Sequence, residues 1–556
     1  MSKNSQMMVA AFVFTLGLVI SGFVGLLAQA SYHRNAGSNP NYQQGDWISY
    51  SVARYITSIA EGDEHIFFGT RHAGITRYNK FQNRWDYPYT TSNGLADNEI
   101  TAVAFDFSTG FLWCASRTAI SYYHPTAERW SNFFKDEFGL PVFDDIELIK
   151  ITKNAVYFKS VNGRVFETNI YGGVILNARN GISFARSKND NFQHFFMSNG
   201  YLFDPSGFVE DFHFRSAEIQ VSFKDDWGNL WIGTNGLGAG RGDVHSLRLE
   251  MLNFGLLNAS VNAMTFHEGV LWLGGNENFG SVTGITAWDM NRSTWDYYEQ
   301  RDVSALLSDK IYSITSDGKF LWFATGYGLS YYSPRERSWK TLNNFDGLSD
   351  NLVFDIEVDD STIWVATANG IDRILKRNLT RKDSLNVEKI NPGNLTIVEV
   401  YELERIANLL WAATSQGIYV YDTKKKEGGF NAEVGGPVNR RVTTLSRYEN
   451  EIWFGSDQGI DVYDLANKTW RGVPEGRFFP NKVINKILAT KEAVWAATNQ
   501  GILKYERRSK AWRTFDTEDG LLDNRVNAIL LDGDYIWFGT DSGLTQFFWN
   551  DPNRVD

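Results

Sequence analysis

Apolar runs of strand length, each closed by a turn rich in glycine, aspartate or asparagine, recur from about residue 46 to the end of this chain. Nine of them read aliphatic-Trp-x-[Gly/Ala]-[Thr/Ser/Gly], with Cys114-Ala115-Ser116 following the tryptophan in one. Six are close copies, starting at Leu321, Ile363, Leu410, Ile452, Val494 and Ile536. Trp411, Trp453, Trp495 and Trp537 follow one another at intervals of 42 residues. Such a period marks stacked supersecondary units, none of which can bury its apolar face alone.

Each unit divides into four short strands. In the last copy an apolar run over 526–531 ends in Asp532-Gly533-Asp534, a turn signal. The tryptophan strand over 535–539 follows, then the turn Asp541-Ser542-Gly543, then a third strand over Leu544–Phe548. The preceding unit supplies a fourth, Ala511–Phe515. The tryptophans obey the same scheme. Of 19, nine occupy the repeated strand, and seven (Trp47, Trp85, Trp130, Trp295, Trp339, Trp470, Trp512) fill a second slot, 17 residues later in the tidy units. Residues this regular are expected in the core.

These spacings predict an all-β β-propeller of about twelve four-stranded blades. Three of the twelve are worn copies starting at Ile66, Val156 and His194. Twelve exceeds one compact ring, so two six-bladed rings are expected, over 51–300 and 301–556, with seven plus five as the alternative. The last unit lacks a fourth strand. Residues 46–50 carry that pattern near the other end of the chain and are predicted to close the last blade, covering an exposed sheet edge.

The strings LWIGT at Leu230 and WFGT at Trp537, the continuation Gly328-Leu329-Ser330-Tyr331-Tyr332, and DGLLDNRV from Asp519 resemble the two-component-regulator propeller repeat. That resemblance implies the periplasmic sensor-type propeller of bacterial hybrid histidine kinases and related secreted proteins. Residues 1–556 hold repeats without a kinase or a C-terminal β-sandwich domain. A free-standing binding or assembly protein is therefore expected.

The N-terminus fits export. Lys3 precedes an apolar stretch over 7–28, and Ala28-Gln29-Ala30 suits cleavage before Ser31. Residues 1–30 are read as a signal peptide, or uncut as a signal anchor, and 31–45 as a linker. The expected location is periplasmic or secreted, or inner-membrane anchored. Net charge is −11, which argues against a nucleic-acid partner. The one cysteine, Cys114, replaces a small residue of the repeat and is expected to be buried.

Catalytic motifs are sparse. The eight histidines show no metal-ligand spacing, and neither metal nor cofactor is expected. The acid pairs Asp144-Asp145, Asp225-Asp226 and Asp359-Asp360, and the pairs Asp97-Asn98, Asp350-Asn351 and Asp523-Asn524, are read as turn formers. The expected function is noncatalytic: binding or scaffolding in the bacterial envelope, with a glycan or protein partner on a propeller face. The alternative is a propeller lyase or hydrolase of an envelope polysaccharide, which a cluster of acids and histidines inside one ring's mouth would favour. Two adjacent turns depart from the three- or four-residue norm, over 235–242 and 276–284. Enlarged neighbouring loops on a rigid scaffold suit binding. Arg241, Asn276, Glu277, Asn278 and Phe279 are thus the candidate ligand-binding residues. Arg241 suits a carboxylate or phosphate, and Phe279 a sugar or partner surface. A basic stretch, Lys376, Arg377, Arg381 and Lys382, is the second candidate.

Overall fold

The computed structural model describes residues 42–43, 45–178, 181–184, 196–197, 200–204, 206–243, 245–276, 282–379, 386–390, 398–430, 440–473, 482–551 and 554. The fold is all-β and propeller-like, with antiparallel four-stranded sheets as its unit. Ten such sheets form among the described residues, together with one of seven strands. The unit read at His194 makes no separate sheet there. Phe196–Met197 pairs in parallel with Arg248–Leu252, and the hairpin Leu202–Asp204/Phe208–Glu210 adds to the far edge, beside Ser216–Lys224. The worn unit at Val156 is a regular sheet.

All nine tryptophans of the repeat are at most 5% exposed. They pack sheet against sheet. Trp322 and Leu329 of one sheet meet Ile356, Ile363 and Val365 of the next. Cys114 is buried in such a layer, and burial pushes its thiol pKa up. The Asp-Asn pairs tie sheet to sheet. Asn98, Asn351 and Asn524 each accept, through Oδ1, an amide seven residues earlier, from Thr91, Asn344 and Thr517. Their own carbonyls accept the amides of Gly74, Gly328 and Gly501 in turns after tryptophan or phenylalanine strands.

First strands of successive sheets touch. They run from Ala263–His267 through Ile311–Ser316, Val353–Val358, Val400–Ile406, Val442–Tyr448 and Ile484–Ala489 to Val526–Asp532, which packs back on Ala263–His267. This is a seven-sheet cycle. A second run, Ser216–Lys224, Ile56–Glu61, Ile100–Asp106 and Ile146–Ile151, forms a four-sheet arc.

Trp47–Tyr50 pairs antiparallel with Leu544–Phe548, Trp47 opposite Phe547. Their rings stack at 3.9 Å, and Ser49 bonds Thr545 at 2.9 Å between buried hydroxyls. The chain thus completes the seven-sheet cycle, crosses to build the arc, and returns. Tyr50, Trp85, Trp231, Phe254, Trp288, Trp295 and Trp537 form one apolar cluster at the junction. Arg215 of the arc side reaches Glu299 of the cycle side at 2.9 Å.

Candidate functional site: the mouth of the seven-sheet cycle

In ten of the eleven sheets the pairing between the first strand and the tryptophan strand slips by one residue near its start. A bulge of this kind re-aims a side chain. In the cycle the residues set out by the bulge are Tyr312, Phe354, Tyr401, Thr443, Asn485 and Asn527. Two of the polar ones brace the neighbouring strand: Thr443 donates to the Ile484 carbonyl at 2.6 Å, and Asn485 to that of Val526 at 2.8 Å, while Asn527 donates to Asp541 at 2.8 Å. The aromatic ones contact one another. Tyr312 and Phe354 have ring centroids 5.5 Å apart, Phe354 and Tyr401 5.4 Å, both edge to face. All three are half-buried. The Arg441 guanidinium lies 4.7 Å from the Tyr401 ring, and the Tyr401 hydroxyl bonds Glu399. Burial and that carboxylate push the Tyr401 hydroxyl up to about 12.

Directly behind this arc stand Asp355, Glu357, Glu402 and Glu404. Asp355 accepts from the Ser313 hydroxyl at 2.7 Å and the Leu403 amide at 2.9 Å, linking three consecutive first strands. Glu402 accepts from the Leu445 amide at 3.1 Å and from Lys486. Lys486 belongs to a strand two places along the cycle from Glu402, so the bond crosses the inside of the cycle, where these groups meet. Burial, with Asp355 and Glu404 nearby, pushes Glu357 up to about 8. Burial and Glu402 push Glu404 up to about 7. Burial also raises Glu402. For Lys486, burial acts downward, but the carboxylates of Glu402 and Asp355 reverse it and raise the ammonium pKa.

The residues singled out from sequence are dispersed. Arg241 is not in a loop. The stretch expected to be an enlarged turn is a turn over 235–238 followed by the strand Ala239–Asp243. Gly240 serves packing: a Cβ there would sit 2.9 Å from both Ile232 and Met251. Arg241 faces Glu250 across the strand pair, lies 5.8 Å from the Trp231 ring and donates to Asn83 at 2.6 Å. Asn276 follows Gly275, whose carbonyl accepts the amide of Ile311, so Asn276 and Tyr312 each follow directly on one partner of that bond. The buried Oδ1 of Asn276 has no hydrogen-bond partner. Glu277, Asn278 and Phe279 lie outside the described residues, as do Arg381, Lys382 and the N-terminal segment read as a signal peptide or anchor. Lys376 pairs with Asp317 at 2.6 Å.

Sequence reading missed the aromatic arc and the acids behind it. Carboxylates do gather inside a ring, and among the described residues no histidine joins them. Two of the three acid pairs form turns: Asp225 accepts the amides of Trp227 and Asn229, and Asp359 those of Ser361 and Thr362, whereas Asp144 accepts from Ser160 and Asn162 and Asp145 pairs with Lys135. Among the described residues no group of histidine, cysteine and acidic side chains is arranged to hold a metal, and no helix is long and apolar enough to cross a membrane. A cavity of about 760 Å³ is lined by the sheet over 263–298 and by Tyr332, Pro334 and Arg337 of the next. Its aromatic lining is engaged in packing, Trp272 stacking on Tyr298 at 5.5 Å.

No family model and no curated protein matches the chain. Solved structures do. The extracellular domain of the putative hybrid two-component system BT4673 from B. thetaiotaomicron is 16% identical, over 90% of this chain and 71% of that one, at a TM-score of 0.46. That of BT3049 from the same organism is 18% identical, over 92% and 77%, at 0.43. PorZ, an essential bacterial surface component of the type-IX secretion system of Porphyromonas gingivalis, is 13% identical, over 91% and 87%, at 0.53. At such identities the likeness to PorZ is one of fold.

Proposed function

We propose that the chain is a noncatalytic, extracytoplasmic binding or scaffold protein of the bacterial envelope, periplasmic or secreted, which grips a glycan or protein at the mouth of the seven-sheet cycle. One observation carries this reading. At a bulge position where Thr57, Thr443 and Asn485 brace the next strand in their sheets, three consecutive sheets carry Tyr312, Phe354 and Tyr401, which form a half-exposed aromatic arc. Half-exposed aromatic faces suit sugar rings and partner side chains alike. The sensor-type repeat resemblance and the fold shared with a bacterial surface component agree with this role. We further propose that the cycle is a seven-bladed ring over 263–548 closed by Trp47–Tyr50. The arc, with the unit near His194, would make five blades over 56–252, dividing the chain near 253–262 rather than at 300.

The test is capture from the protein's own envelope extract, with glycan-array screening of the same sample, by the wild type and by Tyr312→Ala/Phe354→Ala/Tyr401→Ala. Loss of capture by a folded triple variant supports the reading, and unchanged capture removes it. A second reading, a polysaccharide hydrolase or lyase, is favoured by Glu357 and Glu404, carboxyls held partly protonated near neutral pH as a general acid requires. Release of reducing ends from envelope polysaccharide that vanishes in Glu357→Gln would establish it.

A further inference from the structure

We propose that the occupant of this mouth is a lysine- or arginine-bearing segment of a partner protein, whose cation passes the aromatic arc and lodges beside Glu357 and Glu404. This rests on the reading of the arc as the binding face, and it names the partner's chemistry. Three observations point to a cation. First, the interior carries four carboxyl groups, Asp355, Glu357, Glu402 and Glu404, against the ammonium of Lys486 and the guanidiniums of Arg405 and Arg447 that face the two glutamates. Second, the internal bonds are unevenly shared. Asp355 and Glu402 spend both oxygens on neighbouring strands. Glu357 and Glu404 belong to the next inward layer and are half-buried; Glu357 accepts the Arg405 amide of the next strand, and the Lys486 bond goes to Glu402 rather than to either of them. Third, the entrance is lined by tyrosine and phenylalanine, whose ring faces attract an ammonium or guanidinium on its way in. The arc already holds one such cation, Arg441 over Tyr401, with Glu399 on the same ring's hydroxyl.

The charged groups facing the two glutamates come from several strands. Glu357 is faced by Asp355 of its own strand and by Glu404 and Arg405 of the next. Arg405 is itself tied to Asp359. Glu404 is faced by Glu402, Lys486, Arg447 and Asp355. An arriving cation favours the ionised form of both glutamates, so binding expels protons to the buffer near neutral pH. A carboxyl with a purely structural role would release none.

The experiment uses the full mature chain and fluorescein-labelled hexalysine and hexaglutamate at low salt, read by fluorescence anisotropy. Hexalysine is expected to bind and hexaglutamate not. Glu357→Gln/Glu404→Gln should weaken hexalysine about tenfold, a change of about 1.4 kcal/mol. Asp63→Asn/Glu64→Gln removes the same charge from an exposed turn and should change binding less than about twofold, since such charges are screened. Glu357→Asp/Glu404→Asp keeps the charges and should retain binding, which covers the case of a glutamine variant that fails to fold. Titration calorimetry in buffers of differing ionisation enthalpy should show proton release by the wild type and none by the glutamine variant. Equal weakening by both charge-removing variants, or no preference for hexalysine, overturns the proposal. If hexalysine fails while Tyr312→Ala/Phe354→Ala/Tyr401→Ala still abolishes glycan capture, the cationic occupant falls and the binding face stands. If the aromatic variant changes no capture at all, the binding face itself falls.

Discussion

The four-sheet arc and the seven-sheet cycle are built from one repeat and differ at the same two positions. In the arc, the bulge residues include Thr57 and Thr101, which donate to carbonyls of Ile100 and Ala115 at 2.7 and 3.2 Å. Glu147, in the third sheet, pairs with Lys159 at 2.8 Å. The next residues inward are Ser58, Ala102, Leu148 and Val221, which are small or apolar. In three consecutive sheets of the cycle those places hold Tyr312, Phe354 and Tyr401, and then Ser313, Asp355 and Glu402, whereas three others carry Thr443, Asn485 and Asn527, and then Thr444, Lys486 and Ala528. The bulge itself recurs in all four sheets of the arc and in six of the seven of the cycle. A repeat fixes the scaffold, and the positions its packing leaves free are where two copies can diverge.

The largest expected effect concerns closure. Trp47→Ala removes a buried ring stacked on Phe547 and should cost about 3–5 kcal/mol. Hydrogen exchange should show the loss in Val526–Asp532 and Leu544–Phe548 before Ile100–Asp106. Equal loss in both regions would break the distinction between cycle and arc.

Next comes pH. Glu357 and Glu404 are raised in the fold to about 8 and about 7. The unfolded chain releases these protons at a lower pH than the folded one. Stability is therefore fully present below the ordinary glutamate range and falls as pH rises through about 7 to 8. Melting temperature of the wild type should drop between pH 5 and pH 8, and Glu357→Gln/Glu404→Gln should flatten that drop. A wild-type profile already flat across this window would remove the acidic interior as a distinguishing feature.

A smaller effect is expected from Thr57→Val, which loses one hydrogen bond, worth about 0.5–1.5 kcal/mol by denaturant titration, and should leave capture unchanged. The smallest belongs to Arg241→Ala. Its exposed bond to Asn83 should be worth less than about 0.5 kcal/mol, and capture at the cycle's mouth should not change.

Much of the scaffold was legible because tryptophan spacing and turn residues report local structure directly. The pairing of Trp47–Tyr50 with Leu544–Phe548 followed from an incomplete unit at one end and a spare strand pattern at the other. Arg241 was misplaced because a run of glycines reads as a loop, whereas Gly240 is required by the close approach of Ile232 and Met251 within a sheet. The aromatic arc was hidden for another reason. Tyr312, Phe354 and Tyr401 each follow the residue that opens a first strand, a slot visible in any comparison of the repeats, but alternation alone does not tell that a bulge turns that side chain toward the cycle's mouth. The acids behind it were hidden because Lys486 and Glu402 are 84 residues apart and meet only when the cycle closes.

Hydroxyl-radical footprinting of the protein, alone and after capture of partners from an envelope extract, tests the binding face most directly. Protection of Tyr312, Phe354 and Tyr401, with the arc residues Tyr87 and Tyr157 unchanged, is the predicted result. Protection confined to the four-sheet arc, with all three rim aromatics as reactive as in the free protein, would contradict it.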